Sequence, residues 1–160
     1  MIRFLLDIET TDIIVITDNS IQRVDSYFIA DFLEIKKNKD GEYDLSIKEL
    51  FAELLHYWKA LLSEDTSEVF LLYDLSDQFI AGFHLEDYDF KGRKYLRITK
   101  KSTPELTGWS LTKHTKLSEL TSKTWNTDQV FSMQTNRKAI LRGMDWSLEN
   151  LRINTNPVNL

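Results

Sequence analysis

The stretch that decides the fold class is Ser46-Ile47-Lys48-Glu49-Leu50-Phe51-Ala52-Glu53-Leu54-Leu55-His56-Tyr57-Trp58-Lys59-Ala60-Leu61-Leu62. Ser46 and Glu49 match a capping box, in which each side chain satisfies a free backbone N–H at the start of a helix. Apolar residues then recur at helical spacing as one broad stripe, made of Ile47, Leu50, Phe51, Leu54, Trp58, Leu61 and Leu62. We therefore predict a helix over residues 46–62 that packs its apolar face on a core.

The segments on both sides of this helix have the composition of β-strands. Runs rich in β-branched and aromatic residues, separated by polar turns, predict six strands at Ile2–Ile8, Asp12–Thr17, Ser26–Ile35, Val69–Tyr73, Gln78–Leu85 and Arg93–Lys101. Asp74–Asp77 suits a hairpin turn and Asp87–Gly92 a longer one. Residues 102–127 show weak periodicity and are expected to be irregular, or to hold a short strand or turn of helix. Toward the end, a helical spacing predicts a second helix through Ile140, Leu141, Met144, Leu148 and Leu151. The expected fold class is α+β: a mostly antiparallel sheet with one long helix packed on a face and a second helix near the C-terminus.

The bulk composition predicts one domain over residues 1–160, with a frayed tail at 153–160. A chain of 160 residues with 42% hydrophobic residues is long and apolar enough to bury a core. It contains no cysteine, which excludes disulfides, thiol catalysis and cysteine-ligated metal sites. Since no apolar run matches a signal peptide or a membrane span, we expect a cytoplasmic protein that does not associate with membranes, and no cofactor is predicted.

Charge is segregated along the chain. Residues 1–90 hold 20 Asp and Glu against 7 Lys and Arg, a net charge of −13, whereas residues 91–160 hold 5 against 13, a net charge of +8. If the fold preserves this segregation, one face presents a negative field that attracts a cationic partner. The alternative is that the two halves neutralise each other.

One short motif suggests an enzyme. The residues Leu5-Leu6-Asp7-Ile8-Glu9-Thr10-Thr11 resemble the first motif of the proofreading-type exonucleases of the DEDD superfamily, a D-x-E pair at the end of a first strand followed by Thr. That resemblance implies metal binding by Asp7, Glu9 and Asp89, with His84 as general base. The chain has no match to the family's middle motif, for which Asp31 and Asp74 are loose candidates. The alternative is a hairpin turn in which Asp7, Glu9 and Asp12 are solvated.

Other residues have a possible functional interpretation and a simpler structural one. Glu53 and His56 have the E-x-x-H spacing of carboxylate-bridged metal sites, but one copy on a polar helix face is more often solvated. Strand alternation places four residues on one face, which is either a phosphate-binding surface or a cation-protected edge strand: Arg93, Tyr95, Arg97 and Lys101. His114 near Ser110 and Ser118 lacks a nucleophile motif. Trp109, Trp125 and Trp146 are either core or interface anchors.

No complete catalytic constellation is present, so a macromolecule-binding protein is the leading hypothesis. Within that class the sequence favours an inhibitor or immunity (antitoxin-type) protein that neutralises a basic toxin or nuclease domain through an acidic interface. The expected contact residues are Glu64, Asp65, Glu68, Asp74, Asp77, Glu86, Asp87 and Asp89. The alternatives are the metal-dependent exonuclease and a non-catalytic adaptor subunit. Nucleic acid is not the expected partner, because the chain as a whole is acidic.

Overall fold

A computed structural model describes residues 2–18, 20–25 and 27–153, with the backbone alone for residues 129–133 and 153. Its N-terminal part forms a three-stranded antiparallel sheet in chain order, made of β1 (Arg3–Leu6), β2 (Ile13–Ile16) and β3 (Ile21–Val24). A short helix α1 (Ile29–Phe32) and the long helix α2 (Ile47–Ser63) follow.

The C-terminal part forms a second antiparallel sheet, also in chain order. Its strands are β4 (Glu68–Leu75), β5 (Ile80–Phe90), β6 (Arg93–Thr103) and β7 (Asn126–Thr135). A 3-10 turn (Gly108–Ser110) and a short helix α3 (Leu117–Thr121) lie between β6 and β7, and helix α4 (Arg137–Ile153) follows. The predicted α+β class is confirmed, with its antiparallel strands divided between two sheets.

Helix α2 confirms the capping-box prediction. The Glu49 backbone N–H donates to the Ser46 hydroxyl, and the Ser46 backbone N–H donates to the Glu49 carboxylate at 2.8 Å. The Ser46 hydroxyl also donates to the Glu49 carboxylate at 2.7 Å, and this bond, followed by the one from the Ser46 backbone N–H, lowers the pKa of Glu49 because both stabilise its charged form. The apolar stripe faces inward as expected, and Leu55 joins it as a further buried residue.

The prediction of a third strand over Ser26–Ile35 is wrong. Ser26 lies outside the described residues, and the segment after it contains α1, whose Ile29 and Phe32 are buried with Leu33. Their spacing of three and four residues is helical, and the helix buries all three on one side. The strand that completes the first sheet is instead β3, which is antiparallel to β2 and pairs Ile21 with Ile16.

The second sheet is longer than predicted at two places. Asp87–Gly92 is not a loop: β5 continues to Phe90, and a two-residue turn of Lys91 and Gly92 leads directly into β6. Both turn residues have positive φ, 53° and 74°, which matches the twist of a tight hairpin and favours glycine at the second position. The other surprise is β7, which begins within the segment expected to be irregular and pairs with β6.

The core lies between the sheets and the two long helices. Phe4 of β1 contacts Trp58 of α2 at 4.7 Å and Phe83 of β5 at 6.5 Å between ring centroids, so one aromatic chain joins three elements. Helix α4 covers β1, where the Phe4 backbone N–H donates to the Ser147 hydroxyl at 2.9 Å. The Phe4 N–H faces away from β2, on the outer edge of β1, and the Ser147 hydroxyl satisfies it. Helix α4 thus covers this edge of the first sheet.

Helix α4 confirms the second predicted helix, with Ile140, Met144 and Leu148 buried. The frayed tail was predicted over residues 153–160. Ile153 is the last residue of α4, and residues 154–160 lie outside the described residues. Within the described ranges, no helix has the length and apolar character needed to cross a bilayer.

Candidate partner-binding surfaces

The predicted contact acids divide between the two ends of β4. Glu64 and Asp65 follow α2, Glu68 begins β4, and Glu68 pairs directly with Glu86 of β5. The Asp87 backbone N–H donates to the Ser67 carbonyl at 2.8 Å, which holds Asp87 beside the same loop. We call Glu64, Asp65, Glu68, Glu86 and Asp87 the acidic cluster.

The remaining predicted acids lie elsewhere. Asp74 and Asp77 are at the opposite end of β4, about 20 Å away at ~3.3 Å per residue. Asp74 is buried, with 8% of its surface exposed, so a partner could not reach it in this conformation. Asp89 is near the β5–β6 turn, where its carboxylate accepts a hydrogen bond from the Gly92 N–H.

Arg137, the first residue of α4, fixes the α2–β4 loop, which carries Glu64 and Asp65 of the acidic cluster. Its guanidinium donates to the carbonyls of Leu62 at 3.2 Å, Glu64 at 3.4 Å and Thr66. It also approaches the Asp87 carboxylate at 3.4 Å. Since a planar guanidinium can bridge several acceptors at fixed angles, Arg137 orders the α2–β4 loop and brings α4 against it.

Replacing Arg137 by alanine should therefore lower the free energy of unfolding by about 2–3 kcal/mol, because several charge-assisted hydrogen bonds are lost and their carbonyls lose their donor. The measurement is urea unfolding followed by circular dichroism. Arg142→Ala is the matched control, since Arg142 is exposed on the same helix. Equal stability losses for the two variants would contradict the bridging role.

His84 lies between two acids of the cluster. Its Nε2 contacts the Glu68 carboxylate, its Nδ1 is 3.8 Å from the Glu86 carboxylate, and its ring stacks on Phe70 at 4.4 Å. Glu68 and Glu86 are directly opposite each other on paired strands, where like charges repel, and the imidazole lies between their carboxylates. Among the described residues, Glu64 and Asp65 have no ion-pair partner, and both are exposed. The cluster therefore presents negative charge to solvent.

The residues of the exonuclease resemblance are not placed as that motif requires. Strand β1 ends at Leu6, so Asp7 and Glu9 lie in the β1–β2 turn and not on one face of a strand. Asp7 accepts hydrogen bonds from the N–H groups of Glu9 at 3.0 Å and Thr10 at 3.4 Å. It also pairs with Arg23, and this hydrogen-bonded ion pair is the main reason that the pKa of Asp7 is lowered. Asp7 thus stabilises a turn.

The second half of that resemblance is divided as well. His84 and Asp89 are five residues apart on β5 and consequently face opposite sides of the sheet. In the part of the chain that the structure describes, no group of three or more His, Asp or Glu side chains is arranged to hold a metal ion. The first strand, predicted over Ile2–Ile8, ends instead at Leu6, so that Asp7 and Glu9 follow it.

Arg93, Arg97 and Lys101 of β6 share one face with Tyr95, as alternation predicted, whereas Lys94 and Lys100 lie on the other. Arg97 lies over the Tyr88 ring at 4.3 Å, and Lys101 lies 5.8 Å from the Phe70 ring. These cations cover aromatic rings of β5 and β4 on the same face of the sheet. The edge-strand interpretation of β6 is wrong, because β6 lies between β5 and β7.

The remaining polar candidates do not form a site. Glu53 and His56 are both exposed on α2. His114 faces Glu34 at 3.1 Å, and the Ser110 hydroxyl donates to the Thr107 carbonyl within its own turn. Ser118 is an exposed residue of α3.

The three tryptophans have different roles. Trp125 packs on Phe70 at 5.0 Å and donates its indole N–H to the Leu120 carbonyl, so it is part of the protein's own packing. Trp146 lies under the Arg3 guanidinium at 4.7 Å. Trp109 is 67% exposed, and this leaves it available as an interface anchor.

Trp109 belongs to a surface that the sequence did not reveal. Three loops meet at the far end of β4, formed by residues 27–28, 76–79 and 107–110, and we call this place the loop junction. Tyr27 and Phe79 are exposed there together with Trp109. No local pattern predicts their exposure, because it depends on loops from three distant parts of the chain.

Comparisons with known proteins do not identify a family. The chain matches no protein-family model, no curated protein and no solved structure at a significant level.

Proposed function

We propose that this protein binds and inhibits a basic protein partner, in the manner of an immunity protein that neutralises a toxin or nuclease domain. The observation that supports this most directly is the acidic cluster, in which five carboxylates lie near one end of the second sheet. Glu68 and Glu86 are on the face of His84, Asp87 is on the opposite face, and Glu64 and Asp65 are on the loop that Arg137 fixes. Glu64 and Asp65 at its rim are exposed.

The proposal follows from the electrostatics of association. An enzyme that binds phosphodiesters needs a cationic cleft, and a rigid group of carboxylates can occupy such a cleft in place of the substrate. Opposite fields also steer the two proteins together and raise the association rate. Because the loop is already ordered by hydrogen bonds, less conformational entropy is lost on binding.

The first experiment is affinity capture of the tagged protein from its native lysate after nuclease treatment, with elution by a salt gradient. We expect a basic protein in stoichiometric amount, released as the salt concentration rises, whose enzymatic activity falls when the purified chain is added. Retention of nucleic acid alone, or of a basic protein whose activity is unchanged, would contradict inhibition.

A charge-reversal pair locates the contact. The double variant Glu64→Lys, Asp65→Lys should weaken binding of the captured partner at least about tenfold at low salt and flatten its salt dependence, because attraction becomes repulsion. The control is Asp40→Lys, Glu42→Lys, which makes the same charge change at exposed positions in the loop that precedes α2. Equal affinities for both double variants would place the contact elsewhere.

A further inference from the structure

The loop junction is built around Gly108. The Gly108 backbone N–H donates to the Ser76 carbonyl at 2.6 Å. A Cβ atom on Gly108 would lie 2.6 Å from the Leu75 carbonyl oxygen and 2.8 Å from the Phe28 Cβ. Only glycine allows the three loops to approach this closely, so their relative positions are fixed by direct packing.

Each of the three loops that meet here carries one exposed aromatic residue. Tyr27, Phe79 and Trp109 are 78%, 38% and 67% exposed. Trp109 follows Gly108 directly, Tyr27 packs edge-on against Phe28 at 4.9 Å, and the Phe79 carbonyl accepts a hydrogen bond from Ser76. The other exposed large apolar residues of the described chain, Ile8, Ile21, Phe90 and Leu117, belong to other segments.

Exposed aromatics on an ordered backbone have the properties of binding anchors. They offer a large apolar area with few rotatable bonds, and they dominate the energetics of protein interfaces. At the loop junction they come from three separate loops. We therefore expect them to fit a partner whose surface has an apolar pocket, and not a partner that binds as a single extended strand.

The three segments that form the junction carry acidic residues only, and Lys100 of β6 acts on the buried Asp74 from outside them. The segments 25–28, 74–79 and 104–110 contain Asp25, Asp74, Asp77 and Glu105 and no Lys or Arg. Asp25, Asp77 and Glu105 are exposed. A second copy of this chain would bring the same acids face to face, and an anionic lipid surface would be repelled.

We infer that the loop junction is a docking surface for a protein whose apolar pocket is surrounded by lysine and arginine side chains. The pocket receives Trp109 and its aromatic neighbours, and the basic rim pairs with Asp25, Asp77 and Glu105. The proposed function also requires a basic partner, and this part of the inference rests on it. The location is independent of it, because the junction and the acidic cluster are at opposite ends of β4.

Site-specific photo-crosslinking in the native lysate tests this inference. A photoreactive phenylalanine derivative replaces Trp109 or, separately, Phe79, and the same replacement at the exposed Phe90 is the control. We expect both junction positions to crosslink to one protein, at peptides with apolar residues flanked by Lys and Arg, and Phe90 to give no such product. Crosslinks to a second copy of this chain, to an acidic surface, or to no protein would overturn the inference.

Affinity measurements complete the test with the partner thus identified. Trp109→Ala should weaken binding by about 30-fold or more, the range of an aromatic anchor, whereas Phe90→Ala should leave it unchanged. Because both side chains are exposed, thermal unfolding should match that of the wild-type protein. Unchanged affinity for Trp109→Ala alongside a tenfold loss for Glu64→Lys, Asp65→Lys would overturn this inference and leave the proposed function intact. Binding without inhibition of the partner would reject only the proposed function.

Discussion

An Asp74→Asn variant is expected to be more stable than the wild-type protein at pH 8 by about 2–3 kcal/mol, at ~1.4 kcal/mol per pKa unit. Burial, and after it the charge of Asp25, raise the pKa of Asp74 from 3.8 to about 6, and Lys100 opposes both. One carboxylate oxygen is buried without a hydrogen-bond partner among the described residues. The ionised form of Asp74 is therefore unfavourable in the folded protein.

The pH dependence follows from that shift. Since the folded-state pKa lies above the unfolded value, the contribution of Asp74 to stability is present below pH ~4 and is lost as the pH rises through about 6. The gain from Asp74→Asn should thus be small at pH 4 and complete at pH 8. Urea unfolding at both pH values measures it.

Asp77→Asn provides the matched control, because Asp77 is exposed on the adjoining turn. Its stability difference from wild type should be small and equal at the two pH values. If Asp74→Asn lowers stability at pH 8, the Asp74 carboxylate has a favourable partner in the folded state, and burial does not make its ionised form unfavourable.

The second large effect is expected at Trp58. Trp58→Ala should lower the free energy of unfolding by about 3–5 kcal/mol, the range for removing a buried aromatic ring. Trp58 is fully buried and contacts Phe4, which in turn contacts Phe83, so the cavity would open where α2 meets both sheets. The measurement is urea unfolding monitored by far-ultraviolet circular dichroism.

The variant Trp58→Phe distinguishes the contribution of ring packing from that of the indole N–H. The indole N–H of Trp58 has no hydrogen-bond partner in the described part of the chain, so phenylalanine keeps much of the packing and removes an unsatisfied donor. We expect a loss of about 1 kcal/mol or less. A loss as large as that of the alanine variant would show that the ring's exact shape decides stability at this position.

These two positions also show what local sequence patterns can predict. The position of Trp58 in the core follows from helical periodicity after the capping box of Ser46 and Glu49, and the structure confirms it. The burial of Asp74 was not predicted, because it depends on the bulge in β4 between Leu72 and Asp74 and on elements distant in sequence.

Errors in the strand assignments have a similar cause. Residues 29–33 contain apolar side chains that suit either a strand or one turn of helix, and only the packing of Ile29, Phe32 and Leu33 together decides between them. Strand β7 begins with Asn126 and Asp128 on either side of Thr127; Asn and Asp are depleted in strands, so its formation depends on pairing with β6.

The candidate surfaces were predicted only in part. The density of acids between residues 64 and 89 suggested one negative surface, yet the strand direction separates those acids into groups at two ends of β4. The loop junction depends on the contact between Gly108 and two distant loops. Such contacts leave no periodic signal in the sequence.

The hydrogen bond from the Phe4 backbone to Ser147 has a consequence for synthesis in the cell. It joins residues 143 positions apart, so the edge of the first sheet stays open until α4 has emerged from the ribosome. Folding should therefore finish late and slowly, since contacts between distant residues need long loops to close first. During translation the unpaired edge of β1 would be exposed to other nascent chains, and it is there that a chaperone would give the most protection.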